Sequence, residues 1–82
     1  MPTYNPPIAH YSQINVSDYS VQTILAAIGK QGQGFIYQTN KLGLDYIWWD
    51  SKRNVVEIWG SFQAVKNAPN QLTDYIKSKF IE

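Results

Sequence analysis

The sequence contains no cysteine among its 82 residues, which excludes disulfide bonds and thiolate metal sites. No apolar run approaches the ~20 residues that a membrane-spanning helix requires. The start of the chain shows neither the basic nor the apolar segment of a signal peptide. We therefore expect an intracellular protein, cytoplasmic or nuclear, that does not contact a membrane.

Neither positive nor negative charge is in large excess. Seven basic and six acidic residues leave a net charge of only +1. A protein that binds polyanions through its overall charge would be strongly basic, so this composition does not by itself indicate a nucleic-acid-binding protein. If the chain binds a polyanion, a local patch must hold it.

The residue combinations of metal sites and catalytic centres are missing. His10 is the single histidine, and no second His, Cys or paired carboxylate accompanies it to suggest a metal site. Ser12, Ser17 and Ser20 have no base and orienting partner apart from His10. We therefore expect no enzymatic activity, no metal, no cofactor and no small-molecule substrate.

What is present fits one small folded domain. The chain is 44% hydrophobic and 16% charged, which is too apolar for a disordered protein. At this length it buries only roughly 60–65% of the surface of its unfolded chain, so it holds a single core. Prolines predict an irregular arm over residues 1–12, and Tyr4, Ile8 and Tyr11 indicate that this arm lies on another surface. The domain itself is expected over residues 13–82.

Apolar periodicity and turn residues predict the order β-α-α-β-β-α. This order implies an α+β domain in which a three-stranded antiparallel sheet carries its three helices on one face. Ser17 or Asp18 is expected to cap the first helix, and Pro69 to kink or interrupt the last. The predicted elements are a strand at 13–17, a helix with Val21, Ile24, Leu25 and Ile28 on its apolar face that ends at Gly29, a helix at 33–42, a hairpin of strands at 44–49 and 55–59, and a helix capped by Ser61.

Residues 28–35 (IGKQGQGF) hold the most informative motif, a GxxG connection between two helices. Glycines at 29 and 32 let the backbone turn sharply and approach a bulky group, because no Cβ intervenes. The connection leads into a helix N-terminus, where unpaired N–H groups favour phosphate. Lys30 adds a positive charge there and Gln31 a neutral donor. In a protein of unknown class, the same motif is more often a tight corner that binds nothing.

The chain resembles a KH (K homology) domain of the type I arrangement over residues 14–76. The segment INVSDYSVQTILAAIGKQG resembles the family's first strand, first helix and signature loop. The segments FIYQTNKLGLDYIWW and NVVEIWGSFQAVKNA resemble its second helix and strand, and its last strand and helix. The resemblance implies binding of single-stranded RNA, or less readily ssDNA, in a groove that holds about four nucleotides. It implies a nucleic-acid site formed by Ile28, Ala26, Ala27, Gly29, Lys30, Gln31 and Gly32, with Lys52 and Arg53 of the hairpin loop on the opposite lip.

The strand pattern of the family further implies which side chains face the helices, namely Leu44, Tyr46, Trp48, Val56 and Ile58. Ile47, Trp49, Val55 and Trp59 would then form an apolar cluster on the open face of the sheet. The arm could cover this cluster, a second copy could pack on it in a homodimer, or bases could stack on it, and we favour the first two. The alternative function is therefore a KH-like protein-interaction or dimerisation module that has lost nucleic-acid binding.

Overall fold

The computed structural model describes residues 4–79, which form an α+β fold of three antiparallel strands and three α-helices. The predicted order β-α-α-β-β-α is confirmed. The first three residues of the predicted arm lie outside the described part. The elements are β1 (His10–Asn15), α1 (Val21–Ile28), a 3-10 turn (Lys30–Gly32), α2 (Gln33–Lys41), β2 (Leu44–Asp50), β3 (Val55–Gly60) and α3 (Phe62–Lys77).

The sheet has the strand order β1-β3-β2, so β3 lies in the centre and pairs antiparallel with both neighbours. β1 begins at His10, which is opposite Gly60, and therefore starts three residues before the strand predicted at 13–17. The last proline of the arm is Pro7, so every later residue of this segment can donate a backbone hydrogen bond. Residues 10–12 thus belong to the sheet and not to an irregular arm.

The hydrophobic core contains residues from the sheet and from all three helices. Burying this aliphatic surface is the main favourable term that holds the helices on the sheet. Among residues 4–79, the side chains with no exposed surface include Val16, Ile24, Val56, Ile58, Leu72 and Ile76.

Helix α1 presents only part of the predicted face to the core, since Ile24 is buried and Ile28 packs against the core but Val21 and Leu25 do not. Its N-cap is Ser20, whose Oγ accepts a hydrogen bond from the Thr23 amide at 3.2 Å. Ser17 and Asp18 do not cap the helix, because the chain first makes a turn in which the Tyr19 amide bonds to the Val16 carbonyl at 3.0 Å. The buried residues of α1 are Thr23, Ile24 and Ala27, whereas Val21 and Leu25 are 57% and 52% exposed.

Strand β2 contains a bulge near its start that reverses the predicted orientation of the following side chains. Leu44 lies opposite Gly60 while Tyr46 already lies opposite Trp59, so Asp45 is an extra residue in this strand. An extra residue moves each later side chain to the other face of the sheet. Ile47 is consequently buried in the core, which corrects its prediction as an open-face residue. Tyr46 and Trp48 lie on the open face, where Ile47 and Trp49 had been predicted.

Helix α3 continues through Pro69, so the predicted interruption is not found. Ser61 caps it as predicted, and its Oγ accepts from the Ala64 amide at 3.2 Å. Ala68, Leu72 and Ile76 are buried on both sides of the proline, and this packing holds the two halves in one helix. Within residues 4–79, no helix combines the length and apolar character needed to cross a membrane.

Candidate functional site

The connection between α1 and α2, residues 29–32, is termed the glycine corner. α1 ends at Gly29 as predicted, and Gly29 and Gly32 have φ angles of 77° and 78°. Gln31 is also left-handed, with a φ of 56°. Only glycine adopts such angles without cost, so Gln31 is held in an unfavourable conformation by its neighbours. The corner therefore turns within four residues and leaves the Gln31 side chain exposed.

Glycine at position 34 is required because the two helices approach very closely. A Cβ at this position would collide with the carbonyl oxygen of Ala27 and would lie 2.5 Å from the hydroxyl of Tyr75. Gly32 is different, since a Cβ there would meet nothing within 4 Å. One glycine permits the helices to pack, and the other keeps the outer side of the corner open.

The amides of the corner are only partly available to a ligand. The Gly29 amide donates to the Leu25 carbonyl at 3.0 Å, and the Gly32 amide donates to the Gly29 carbonyl at 3.1 Å. Capping the end of α1 and closing the 3-10 turn therefore already use the Gly29 and Gly32 amides. The amides of Lys30 and Gln31 take no part in these bonds and are the donors that the corner can offer.

A groove of about 460 Å³ extends from the glycine corner along α2 and β2. Its lining is largely apolar, and the polar side chains in it are Gln31, Thr39, Asn40 and Asp45. The corner closes one end, α2 forms one wall and β2, an edge strand, forms the other. The lining residues are Ile28, Gln31 and Gly32 at the corner, Phe35, Ile36, Thr39 and Asn40 of α2, and Asp45, Tyr46, Ile47, Trp48 and Trp49 of β2.

Only part of the predicted groove wall lines this groove. Ile28, Gln31 and Gly32 do so, whereas Ala26 is exposed outside it. Ala27 is completely buried, and its carbonyl accepts a hydrogen bond from the Tyr75 hydroxyl at 2.7 Å. Ala27 is thus a core residue, which corrects its assignment to the groove.

The wall formed by α2 was missed at the sequence level, although a signal for it exists. Phe35, Ile36, Thr39 and Asn40 recur at the spacing of one helical face that begins three residues after the second glycine. Ile36 is 51% exposed and lines the groove, so it offers apolar surface to a ligand there. The Thr39 hydroxyl donates to the Phe35 carbonyl at 2.7 Å, so this group is already satisfied within α2.

The basic residues predicted for the site differ in whether the protein already pairs them. Among residues 4–79, the ammonium groups of Lys30 and Lys52 take part in no ion pair or ring contact. Arg53 instead contacts Asp50 Oδ2 at 2.7 Å and Glu57 Oε2 at 3.2 Å. The Arg53 side-chain hydrogen bond holds the pKa of Asp50 below its usual value. Arg53 therefore stabilises the hairpin through two ion pairs and is not a free cation on the lip of the groove.

The open face of the sheet carries an aromatic cluster that the arm partly covers. The Tyr4 ring meets Trp48 edge-on, with centroids 5.1 Å apart, and meets Trp59 at 5.9 Å. Tyr11 packs on Trp59 at 5.2 Å from β1. The prediction that the arm lies on the sheet is confirmed at Tyr4, whereas Ile8 is fully exposed. We define the open-face cluster as Tyr4, Tyr11, Tyr46, Trp48 and Trp59.

The residues predicted for an interface do not share one surface. Trp59 lies in the open-face cluster, and Val55 is partly buried at the start of β3. Ile47 belongs to the core and Trp49 packs against it. The Trp49 Nε1 is buried and has no hydrogen-bond partner within residues 4–79. An interface built from all four residues is therefore excluded by the bulge in β2.

A buried carboxylate on the open face was also missed. Glu57 is only 5% exposed, and its Oε2 accepts from the Tyr11 hydroxyl at 2.7 Å and from Arg53. Burial and this hydrogen bond raise the pKa of Tyr11. No group of three or more His, Cys, Asp or Glu side chains in residues 4–79 is placed to hold a metal ion.

No family model, curated protein or solved structure matches this chain. The function proposed below therefore rests on the geometry of the glycine corner and of the groove that leads from it.

Proposed function

We propose that this chain binds single-stranded nucleic acid in the groove between α2 and β2, with RNA as the first candidate and DNA as the second. The observation that carries the proposal is the position of the glycine corner at one end of a largely apolar groove. A single strand presents phosphates along one edge and unpaired bases along the other. A protein site that binds it must therefore place a polar surface next to an apolar one.

The phosphate end of the proposed site is the corner. Lys30 and Gln31 are exposed, and their amides are not used in capping α1. Gly32 lines the groove without a side chain, so a phosphate can approach the backbone closely. The corner also precedes the N-terminus of α2, a helix of nine residues whose dipole favours an anion.

The base end of the proposed site is the rest of the groove. Ile28, Phe35 and Ile36 supply apolar surface, and Asn40 and Asp45 supply polar groups at the rim. Lys52 follows β2 in the hairpin loop, and its ammonium group takes part in no ion pair within residues 4–79, so we assign it as the second phosphate contact. This role for the chain is binding, and it requires neither a cofactor nor a catalytic group.

The alternative, a protein-interaction or dimerisation module that uses the sheet face, has weaker support. Tyr4 of the same chain already occupies part of that face through Trp48 and Trp59. A second copy or a partner would have to displace the arm. We therefore place the function in the groove and treat the KH resemblance of residues 14–76 as a prediction.

The test is a titration of labelled ssRNA and ssDNA pools with the wild-type protein and with a Lys30→Asp, Gln31→Asp double variant. Two carboxylates at the corner should repel phosphate and reduce affinity at least ten-fold. The fold should persist because both side chains are exposed and Asp tolerates the left-handed angle at position 31. Circular dichroism checks this.

A Gln63→Asp, Lys66→Asp variant is the matched control, because it makes the same charge change at exposed positions of α3. It should bind like the wild type. If the wild type binds neither pool at low salt, the proposed function is wrong. If the corner variant binds as well as the wild type, the site is wrong. Light scattering on the same samples shows whether the chain dimerises.

A further inference from the structure

Two aromatic residues of β2 belong both to the groove and to the open-face cluster. Tyr46 and Trp48 line the groove, and both also contact the rings on the open face. This is possible because β2 is an edge strand, so its residues border both the groove and the open face of the sheet. Two aromatic residues of β2 therefore lie where the groove and the open face meet.

These two rings are aligned with each other. The Tyr46 and Trp48 rings are nearly parallel, with an angle of 5° between their planes and centroids 6.4 Å apart. Both residues are only partly buried. A base that stacks on one ring is therefore parallel to the other, which is the arrangement that successive bases of a single strand adopt.

The arm holds this pair from the open face. Tyr4 contacts the Trp48 ring, and the Asn5 amide donates a hydrogen bond to the Tyr46 hydroxyl at 3.1 Å. Tyr4 and Asn5 thus fix both members of the pair, although they lie about forty residues away in the sequence. The arm restricts the rotation of the two rings before any ligand binds, and such preorganisation lowers the entropic cost of binding.

We infer that Tyr46 and Trp48 form a base-stacking subsite on the outer wall of the groove, and that Tyr4 and Asn5 are its positioning residues. The inference rests on the proposed function and extends it, because it places a second binding region beyond the phosphate-binding corner. Base–aromatic stacking depends little on base identity, so this subsite adds affinity for any unpaired base rather than sequence preference.

The experiment compares two ligands that carry the same charge. One is a random-sequence RNA decanucleotide pool, and the other is a decanucleotide of the same backbone with abasic residues throughout. Both can place phosphates at the glycine corner, but only the first can stack. The wild type should bind the first pool roughly ten-fold more tightly or better.

Trp48→Leu is the main variant, since leucine keeps an apolar side chain in the cluster but cannot stack. It should weaken binding of the base-containing pool several-fold and leave the abasic affinity unchanged. Base contacts with Ile28, Phe35 and Ile36 should retain part of the difference between the two ligands. Tyr4→Ala should give a smaller loss of roughly three-fold on the base-containing pool alone. It should also increase quenching of tryptophan fluorescence by acrylamide, because Tyr4 covers Trp48 and Trp59. Tyr37→Leu, at an exposed tyrosine of α2 outside the groove, is the control and should change neither affinity.

The outcomes separate this inference from the proposed function. Equal wild-type affinity for the two ligands, together with sensitivity to the Lys30→Asp, Gln31→Asp change, overturns the stacking subsite and keeps the corner. A Trp48→Leu variant that weakens both ligands equally also overturns it, because the residue would then act only on the fold. If the wild type binds neither ligand, the proposed function and the subsite are both wrong.

Discussion

The groove beside the glycine corner and the open face of the sheet both contain apolar and aromatic residues, but they differ in how far other residues of the chain cover them. On the open face, Tyr4 and Tyr11 pack on the tryptophans, and Glu57 takes hydrogen bonds from Tyr11 and Arg53. Beside the corner, apolar residues of α2 and β2 line an open groove, and Ile36 is half exposed. Contacts within the chain therefore hold the open face together, whereas the groove keeps apolar surface that a ligand can cover.

Lys30 and Arg53 show this difference at single residues. Both were predicted to contact phosphate, and both are exposed cations at a turn. Arg53 has a carboxylate on either side, and its planar guanidinium reaches both. Lys30 has no acidic residue among its sequence neighbours, and no ion pair within residues 4–79 includes it. The acidic neighbours, and not the basic residue, decide which cation stabilises the fold.

The largest predicted effect concerns the framework of the corner. Gly34→Ala should destabilise the fold by about 3 kcal/mol, because the added Cβ collides with backbone carbonyls of α1 that cannot move independently. At an ordinary helical position the same change would be favourable by up to about 1 kcal/mol. Urea unfolding followed by circular dichroism measures the loss.

Gly32→Ala is the matched comparison for that variant. It should cost only about 1 kcal/mol, since the left-handed angle is unfavourable for alanine but no atom obstructs its Cβ. Equal losses in the two variants would contradict the close approach of α1 and α2 as the main reason for glycine at position 34, because only Gly32 has a left-handed angle.

A smaller effect is expected on the open face. Tyr11→Phe removes a hydrogen bond to the buried Glu57 carboxylate and should destabilise the fold by about 1 kcal/mol, because Arg53 still contacts this carboxylate. Tyr37→Phe, at an exposed tyrosine of α2, should cause no change in the same unfolding measurement. Identical stability of the wild type and both variants would mean that the hydrogen bond from Tyr11 to Glu57 does not stabilise the fold.

The corner and the element order could be predicted from the sequence because their signals are local. Helical periodicity, capping serines and glycines at 29 and 32 act within a few residues, and the structure places α1, α2 and the turn between them accordingly. The cap of α1 was misplaced by a few residues, because Ser17 and Ser20 are both suitable cap residues. The turn formed by the Tyr19 amide and the Val16 carbonyl decides between them.

The two faces of β2 could not be predicted, because a bulge has no reliable local signal. Strict alternation assigned Tyr46 and Trp48 to the core, and the extra residue at Asp45 exchanged them with Ile47 and Trp49. One residue thus changed both the groove wall and the open-face cluster. The resulting aromatic wall depends on strand register, which is set by pairing with β3.

The open face should also respond to high pH. Burial raises the pKa of Tyr11 above its usual value of 10.0, and so does its hydrogen bond to Glu57. Burial and the nearby Glu57 charge raise the pKa of Tyr4 in the same direction. Because the unfolded chain then loses these protons first, stability should be unaffected below pH 10 and should fall as the pH rises above it.

Thermal unfolding across this range tests that expectation, with Tyr11→Phe as the comparison. The variant should lose stability less steeply above pH 10, because it lacks one of the groups that ionise. Parallel curves for the two proteins would contradict the assignment of the raised pKa to Tyr11.

The smallest expected effect is in the salt dependence of binding. It distinguishes Lys52 from Arg53, the two cations of the hairpin loop. If Lys30 and Lys52 are the cations that contact phosphate, log K should fall with log[salt] at a slope of roughly −1.4. Lys52→Gln should reduce the magnitude of this slope by about 0.7. Arg53→Gln should leave the slope unchanged, because Asp50 and Glu57 already neutralise this guanidinium, but it should weaken binding slightly by uncovering two carboxylates. A slope that changes with Arg53→Gln and not with Lys52→Gln would mean that the ion pairs of Arg53 open when the strand binds. Pairing within the chain would then not distinguish the cations that stabilise the fold from those that bind a ligand.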